Sequence, residues 1–215
     1  MIQIKKFTFN PVSVNAYLLW DETLEAVLID PACFYPAEEE KLSRFVEQQG
    51  LTIVGILNTH GHFDHLMGNG FAVAKWNQKC RIHSGDAHMP GLARQYASMF
   101  GITMQDQDSP FELLEDKELI TFGRSSLQVI HVPGHSPGGV AFFAAQDKML
   151  VVGDIIFEGS VGRTDLPGGN HRQLIEGMTE KLICLGDDVR IFPGHGGETT
   201  VGKEKRSNPF LQGQV

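Results

Sequence analysis

The sequence has little of what marks a secreted or a membrane protein. It contains three cysteines, Cys33, Cys80 and Cys184, whose odd number and wide spacing fit neither a disulfide framework nor a Cys-x-x-Cys zinc motif. No apolar stretch approaches the roughly 20 residues that a membrane helix needs. The start, MIQIKK, alternates like a strand and lacks the long apolar segment of a signal peptide. We therefore expect a cytoplasmic protein with no membrane partner.

Positive charge is also scarce. The net charge of −8 argues against a nucleic-acid partner, because such a partner is usually bound on a basic face. Hydrophobic residues make up 41% and charged residues 20%, a composition typical of a compact enzyme. A chain of 215 residues can bury a sizeable core, and we expect one domain over residues 1–215.

Histidine, in contrast, is concentrated in one place. Residues 60–65 read HGHFDH and directly follow a predicted buried strand, the apolar run 53–57. Three imidazoles this close repel one another when protonated and compete for hydrogen-bond partners when buried and neutral. A divalent cation removes both problems, since zinc takes neutral imidazole nitrogens and carboxylate oxygens. The hexapeptide predicts the metal ligands His60, His62, Asp64 and His65, with a histidine-rich polar turn as the plain alternative.

Three later residues share one local pattern: an apolar run, a glycine and then a ligand-type side chain. They are His135 after Gly134, Asp154 after Gly153 and His195 after Gly194. A glycine there allows a tight turn or a close backbone approach, so that the next side chain projects from a strand end. Each residue taken singly fits a cap or an ordinary loop histidine. Together with the cluster they predict three further ligands.

The hydrophobic pattern predicts strands and helices in alternation. Strands are predicted near 3–9, 16–20, 26–30, 52–58, 118–122, 127–132, 140–145, 149–152 and 190–192. Helices are predicted over 36–49, with a proline in the first turn, over about 68–78, and from an N-cap at Asn170 to Leu185. The segment 85–109 is expected to form a helix with loops that covers the site.

Taken in order, His60-x-His62-x-Asp64-His65, His135, Asp154 and His195 resemble the ligand pattern of the metallo-β-lactamase superfamily. Within it the chain is similar to the glyoxalase II (hydroxyacylglutathione hydrolase) branch in the segments 59–65, 162–169 and 193–210. The resemblance runs from about Asn15 to Phe210. It implies an α+β fold, a four-layer αββα sandwich. Because the chain ends at Val215, the extra C-terminal helical domain of longer members is expected to be absent, as in the short bacterial type.

The resemblance also implies roles for the ligands. His60, His62 and His135 would hold a first metal ion, Asp64, His65 and His195 a second, and Asp154 would bridge them. The expected cofactors are two divalent ions, zinc before iron or manganese. Bound water, with its pKa lowered to roughly 7, would attack a thioester such as S-lactoylglutathione, with Asp64 and Asp154 as the catalytic carboxylates. Two alternatives stay open: a persulfide dioxygenase with one iron on His60, His135 and Asp154, and a lactone or lactam hydrolase.

Supporting residues are predicted around the metals. Arg163, Lys203, Lys205 and Arg206 are expected to bind the anionic part of a small thioester substrate, because a chain of net charge −8 needs local cations for this. Arg163 could instead pair with Asp165 or cap loop carbonyls, and the last three could form a solvated helix end. Asp30 is expected to accept a hydrogen bond from a metal-bound histidine, with an Asp-Pro turn as the alternative. The sequence leaves the oligomeric state open.

Overall fold

The computed structural model describes residues 1–104 and 111–213. In the first half the elements are β1 Gln3–Phe9, β2 Val14–Trp20, β3 Glu25–Ile29, α1 Pro36–Gln49, β4 Thr52–Leu57, α2 Phe63–Leu66, α3 Asn69–Trp76, β5 Cys80–His83, α4 Ala93–Met99 and β6 Glu112–Leu114. In the second half they are β7 Leu119–Phe122, β8 Ser125–His131, β9 Val140–Ala144, β10 Met149–Gly153, β11 Ile156–Phe157, β12 Ser160–Val161, α5 His171–Gly177, β13 Arg190–Pro193, β14 Thr199–Thr200 and α6 Val201–Ser207.

Within the described residues, the strands form two mixed sheets of six strands and one small ribbon. The first sheet has the order β1-β2-β3-β4-β5-β6 and the second β14-β13-β10-β9-β8-β7, while β11 pairs with β12. Antiparallel pairing starts each half, and parallel pairs follow in β3 with β4 and in β10 with β13. Each sheet therefore contains both antiparallel and parallel pairs of strands.

Alternation along the strands builds four layers. Tyr17 and Leu19 of β2 pack in the core between the two sheets, whereas Leu18 on the opposite face packs with Leu42 of α1 and Ala72 of α3. The second sheet repeats this arrangement, with α5 and the turns after it on its outer face. The predicted α+β fold, a four-layer αββα sandwich, is confirmed.

The helical segments 36–49 and 171–185 begin and end where local signals in the sequence predict. Helix α1 begins and ends where the sequence predicts, and Gly50 stops it in the left-handed region with φ 65°. Asn170 caps α5 by accepting a hydrogen bond from the backbone N of Gln173 at 3.1 Å. The chain is helical to residue 185 as predicted, although its later part is a π turn at 178–182 and a 3₁₀ turn at 183–185.

Five short strands of the described residues and part of the cover differ from the prediction. Strands β5, β6, β11, β12 and β14 were not predicted, because each has fewer than five residues. The predicted cover consists of α4 and two 3₁₀ turns at 84–86 and 90–92, and its residues 105–109 lie outside the described residues. In the ranges 1–104 and 111–213, no helix has the length and apolarity to cross a bilayer.

Candidate metal centre

The predicted ligands meet where strands of both sheets end. His60 follows β4 in the first sheet, while His135, Asp154 and His195 follow β8, β10 and β13 in the second. Asp64 and His65 lie on the short helix α2, which starts directly after the strand-end loop. The carboxyl ends of parallel strands are the usual edge for a ligand site in a layered α and β fold. The structure brings all seven predicted ligands to this edge.

The seven side chains form three overlapping groups in which the ligand atoms lie within 4.8 Å of one another. These groups are His60 with His62 and His135, Asp64 with His65 and His195, and His60 with His65 and Asp154. The first two contain the same residues as the two ligand sets that the resemblance implies. The third connects them through Asp154, the residue expected to bridge.

The distances around Asp154 fit shared metal ions. Its Oδ2 lies 3.6 Å from His135 Nε2 and 3.5 Å from His195 Nε2, and its Oδ1 lies 3.4 Å from His65 Nε2. Ligand atoms bound at about 2.0–2.1 Å to one tetrahedral zinc ion lie roughly 3.4 Å apart. The carboxylate therefore faces histidines of both groups at the separation of atoms that share a cation.

Hydrogen bonds on the far side of three rings determine which nitrogen faces the cluster. His65 Nδ1 donates to Asp30 Oδ2 at 2.8 Å, and His135 Nδ1 donates to the Arg163 carbonyl at 2.8 Å. Thr59 Oγ1 donates to Asp30 at 2.6 Å, so it accepts from His60 Nδ1 at 3.1 Å. All three rings are thereby held as Nδ1–H tautomers whose Nε2 lone pairs point into the cluster.

Several buried atoms in the cluster have no hydrogen-bond partner. They are His60 Nε2, His65 Nε2 and Asp154 Oδ1. In addition, His62 Nδ1 and His135 Nε2 lie 2.8 Å apart. Two nitrogen lone pairs at that distance repel unless a proton or a cation lies between them. An unpartnered carboxylate oxygen facing unpartnered imidazole nitrogens is the donor set that divalent ions take, so the residues fit a metal centre.

The electrostatics favour the metal-binding form in part of the cluster. Around His65, the carboxylates of Asp154, Asp30 and Asp64 outweigh burial and raise its pKa well above the usual value, so a cation that binds there would displace a proton. Burial lowers the pKa of His60 well below its usual value, and burial with the nearby His135 lowers the pKa of His62 to about 4. These rings are neutral at pH 7, the form that binds a cation. Burial by itself would raise the pKa of Asp154, but His65, His195 and His135 around it hold that pKa well below the usual range. The carboxylate is therefore ionised.

Asp30 lies behind the cluster, at the end of β3. Its carboxylate accepts hydrogen bonds from His65, from the Thr59 hydroxyl and from the Thr59 backbone N at 2.8 Å. It therefore contacts His65 directly and His60 through Thr59, as expected of a residue that orients ligands. Its backbone also adopts the left-handed conformation, with φ 49°, before Pro31. Asp30 therefore has both of the features that the sequence offered as alternatives, the hydrogen bond with a ligand histidine and the turn before Pro31.

Asp86 was missed by sequence reasoning. It is fully buried in the 3₁₀ turn after β5, and its carboxylate accepts hydrogen bonds from Gly61 N at 2.8 Å, Ser136 Oγ at 2.7 Å and Gly138 N at 2.6 Å. Asp86 thus ties the loop that carries His60 and His62 to the loop that carries His135. No sequence signal marks it, because Ser-Gly-Asp is an ordinary turn composition.

The glycine before each later ligand has the predicted function of allowing a close approach. At Gly194 an added Cβ would lie 2.3 Å from Asp154 Oδ1 and 2.8 Å from His65 Cε1. At Gly153, where φ is 52°, it would lie 2.3 Å from Thr59 Oγ1. The cluster is therefore compact because its backbone carries no side chains at these points.

Replacing Gly194 by alanine is expected to reduce both metal binding and activity. The added methyl group would overlap the Asp154 carboxylate and the His65 ring, so one of them must move out of the cluster. We expect metal affinity and turnover to fall by about tenfold to a hundredfold, the range for changes that misorient ligands. Metal titration and turnover of the purified variant measure this. Gly197→Ala is the control, since its Cβ would lie 3.6 Å from its nearest neighbour, an ordinary contact. Equal metal affinity in the two variants would contradict the interpretation.

A cavity of about 230 Å³ opens over the cluster. It is lined by His62, Asp64, His135, Asp154 and His195 from the cluster and by Val12, Phe63, Met89, Tyr96, Phe100, Arg163, Leu166 and Pro167 around them. Of the four cations predicted to bind substrate, Arg163 lines this cavity and the other three do not. Those three are on α6, where Lys203 pairs with Glu158, and Lys205 and Arg206 pair with Asp187. The structure therefore favours the alternative of a solvated helix for them.

Arg163 itself is held by a neighbour. Its Nε and a terminal nitrogen both lie 2.8 Å from the carboxylate oxygens of Asp165, and the pair is exposed. The side-chain hydrogen bonds with Asp165 raise the pKa of Arg163 and lower that of Asp165 to about 2, so both groups are charged. The pairing alternative for the Arg163 side chain is the one that the structure shows.

The layered fold and the buried histidine and aspartate cluster define a metal-binding protein of the α+β class. A family profile of the metallo-beta-lactamase superfamily matches residues 9–195, and the chain belongs to this superfamily. This is a superfamily of metallo-hydrolases, whose members bind divalent metals.

Three relatives illustrate the range of the family around this chain. Hydroxyacylglutathione hydrolase GloC of Haemophilus influenzae is 34% identical over 203 residues, which cover 92% of this chain and 92% of GloC. The crystal structure of TTHA1623 in a di-iron-bound form is 37% identical with a TM-score of 0.87, covering 96% of this chain and 100% of that one. The crystal structure of BLEG-1 B3 metallo-beta-lactamase is 32% identical with a TM-score of 0.88, covering 97% and 99%.

Proposed function

We propose that this protein hydrolyses a small thioester, such as S-lactoylglutathione, with two divalent ions held by the seven clustered ligands. The observation that supports it most is the position of Asp154, whose Oδ2 lies within 3.6 Å of a histidine from each group. A carboxylate between the groups reduces the repulsion between two dications. The similarity to a hydroxyacylglutathione hydrolase supports the thioester as the bond that is cleaved.

In this proposal each ligand keeps the role expected from the sequence. His60, His62 and His135 would hold one ion, Asp64, His65 and His195 would hold the other, and Asp154 would be shared between them. Zinc is the first expectation for the metal, and the di-iron form of TTHA1623 supports iron as the alternative. Asp30 orients His65 through the 2.8 Å hydrogen bond to its Nδ1.

Water is the nucleophile in this mechanism. Among the described residues that line the cavity there is no serine, cysteine or lysine to form a covalent intermediate. Divalent ions held here would polarise the substrate carbonyl and lower the pKa of a water to roughly 7. Asp64 and Asp154 both line the cavity as acceptors that can orient that water. Its oxygen bonds to the carbonyl carbon, the C–S bond breaks, and a thiolate with a pKa near ~8.5 leaves without strong need of an acid.

The proposal is tested by metal analysis combined with turnover on one protein sample. Protein loaded with zinc, iron or manganese is analysed for metal content and assayed with S-lactoylglutathione, a β-lactam and a glutathione persulfide. We expect two metal ions per chain and hydrolysis of the thioester. One iron per chain with oxygen consumption on the persulfide would replace the hydrolase by the persulfide dioxygenase alternative.

A lactam hydrolase is the second candidate. The observation that favours it is the similarity to BLEG-1 B3 metallo-beta-lactamase at 32% identity over nearly the full length of both chains. In the same assay, turnover of the β-lactam without turnover of any thioester would establish this function instead. Turnover of both substrates would leave the ratio of their kcat/KM values to decide which is preferred.

Arg163→Ala is expected to affect anionic and neutral thioesters to a similar extent. The reason is that Asp165 already occupies the guanidinium with two hydrogen bonds of 2.8 Å, so little charge is left for a substrate carboxylate. The contact that Arg163 makes with His135 uses its backbone carbonyl and survives the substitution. Values of KM for S-lactoylglutathione and for a neutral thioester measure the effect. A rise of KM for the anionic substrate alone would return Arg163 to substrate binding.

A further inference from the structure

The wall of the cavity above the cluster is apolar over most of its length. Around the metal ligands it is formed by Phe63, Met89, Tyr96, Phe100, Leu166 and Pro167. A pocket with reactive polar groups at its base and apolar side chains around them usually selects ligands by their apolar part. The side chains of this wall are therefore expected to influence which substrate binds.

Aromatic side chains on α2 and α4 make up one side of this wall. Phe63 lies in the sequence between the ligands His62 and Asp64, and its ring centroid is 5.4 Å from that of Phe100. Helix α4 is anchored against α2 by the buried Ala93 and Ala97. The aromatic wall is therefore attached to the same short helix that carries Asp64, and its position relative to the cluster is fixed by packing.

Phe100 leaves much of its ring uncovered. It follows the last residue of α4 and is 59% exposed, although it lines the cavity. An exposed aromatic ring beside a reactive centre is stabilised when an apolar ligand group covers it. Tyr96, one turn earlier on α4, is half-buried and faces the same space.

The described lining offers little to a negatively charged group. Arg163 is the one cation among the described residues that line the cavity, and its charge is balanced by Asp165 at 2.8 Å. The net charge of −8 opposes the long-range approach of an anion. Beyond the ligand cluster, the described lining therefore offers a substrate mainly apolar contacts.

On the basis of the proposed thioester hydrolysis, which this inference requires for its substrate class, we propose that the preferred substrate carries an uncharged apolar group, aromatic or aliphatic, next to its scissile carbonyl. This group packs against Phe63, Tyr96 and Phe100 while the carbonyl lies over the ligand cluster. The apolar wall is therefore the part of the site that selects the substrate, in place of the cation cluster expected from the sequence.

The test compares neutral thioesters in which an aromatic group is placed on the acyl side or on the thiol side of the scissile bond. The reference is the acetyl thioester of N-acetylcysteamine, one arm is its phenylacetyl thioester, and the other arm is the acetyl thioester of benzyl mercaptan. At least one aromatic arm is expected to exceed the reference in kcat/KM by about tenfold, the scale of added apolar contact in a pocket. Equal kcat/KM for all three, or a higher value for S-lactoylglutathione than for both aromatic arms, would overturn the inference.

Two variants test whether the apolar wall causes the difference in kcat/KM between the thioesters. Phe100→Ala is expected to raise KM for the favoured aromatic thioester by a larger factor than it raises KM for the reference. Met99→Ala is the matched control, because Met99 is the preceding residue, is 68% exposed and does not line the cavity. Thermal melting of both variants checks that each is folded. An equal loss on all substrates in Phe100→Ala would show a structural effect and contradict substrate contact.

Binding of an inert analogue separates this inference from the proposed function. The probe is the S-phenethyl thioether of N-acetylcysteamine, titrated by calorimetry into metal-loaded wild type and Phe100→Ala. If no thioester is hydrolysed but the probe binds in a Phe100-dependent manner, thioester hydrolysis is wrong and the apolar site stands. If thioesters are hydrolysed but neither turnover nor probe binding depends on Phe100, the apolar site is wrong and the hydrolase stands.

Discussion

Asp154→Ala is expected to lose one of the two metal ions and to reduce turnover by more than about a hundredfold, the upper range for residues that merely support a ligand. Asp154 does more than support, because its oxygens lie 3.4–3.6 Å from His65, His135 and His195. Without this carboxylate two dications would repel each other across a buried site. Metal content per chain and turnover of the purified variant measure the two effects.

The fold of Asp154→Ala is expected to survive. The residue lies after the end of β10, outside the clusters of buried apolar side chains, so its removal leaves no cavity in the core. Asp188→Ala is a suitable control, since that carboxylate is exposed and pairs with Lys148 on the surface. A variant that keeps two metal ions per chain and a near-normal rate would show that Asp154 does not bridge.

Asp86→Ala is expected to destabilise the protein and to weaken metal binding together. The substitution leaves three buried donors without an acceptor, on Gly61, Ser136 and Gly138. Each unsatisfied buried donor costs roughly 1 kcal/mol or more, so the free energy of unfolding falls by about 3 kcal/mol. For a chain of this size that corresponds to a melting temperature lower by about 6–12 °C. Thermal melting with and without added metal measures it.

Metal binding should fall in the same variant because Asp86 connects the loops of the first ligand group. Separation of the loop of His60 and His62 from that of His135 is expected to reduce metal affinity by about tenfold to a hundredfold. Asp116→Ala is the matched control, since Asp116 also accepts a backbone hydrogen bond, from His131, but at an exposed position. Wild-type melting and metal affinity in Asp86→Ala would contradict the positioning role.

Coupling between metal binding and folding follows from the way the site is assembled. One ligand group draws His60 from the first sheet and His135 from the second, while α2 carries Asp64 and His65 between them. Metal ions held by these side chains would therefore bind the folded chain in preference to the unfolded chain. Such preferential binding raises the stability of the folded state in proportion to the logarithm of the free metal concentration.

Local signals in the sequence were sufficient for the ligands and for much of the framework. The six residues 60–65 and the glycine before each later ligand predicted the seven side chains that meet at the site. Proline at position 36 and glycine at position 50 predicted both ends of α1. These signals are short-range, since the glycine or the cap residue adjoins the position that it determines.

The environment of the ligands was less accessible from the sequence. The tautomers of His60 and His65 depend on Thr59 and Asp30, and the tautomer of His135 depends on a carbonyl 28 residues away. No motif or spacing in the sequence marks these contacts. They are produced by strand pairing, which brings distant segments together without leaving a local pattern.

Two sets of residues that bear on substrate binding show the same difference between what the local sequence predicts and what the tertiary structure decides. The sequence placed Lys203, Lys205 and Arg206 close to His195 along the chain, but α6 turns them towards Glu158 and Asp187. Conversely, Phe63, Tyr96 and Phe100 carry no shared motif, and their common wall exists because α4 packs on α2.

By itself the sequence determined the family, the identity of the candidate ligands and the strands at whose ends they lie, because residue type and local periodicity carry that information. The tertiary structure alone decided that Asp154 lies between the two groups and that apolar side chains line the cavity. It also decided that Asp86 contacts Ser136 and Gly138, which are 50 residues or more away in sequence, and so joins two ligand loops. Such contacts depend on how the two sheets and their helices pack, and packing between distant segments is not encoded in any single stretch of the chain.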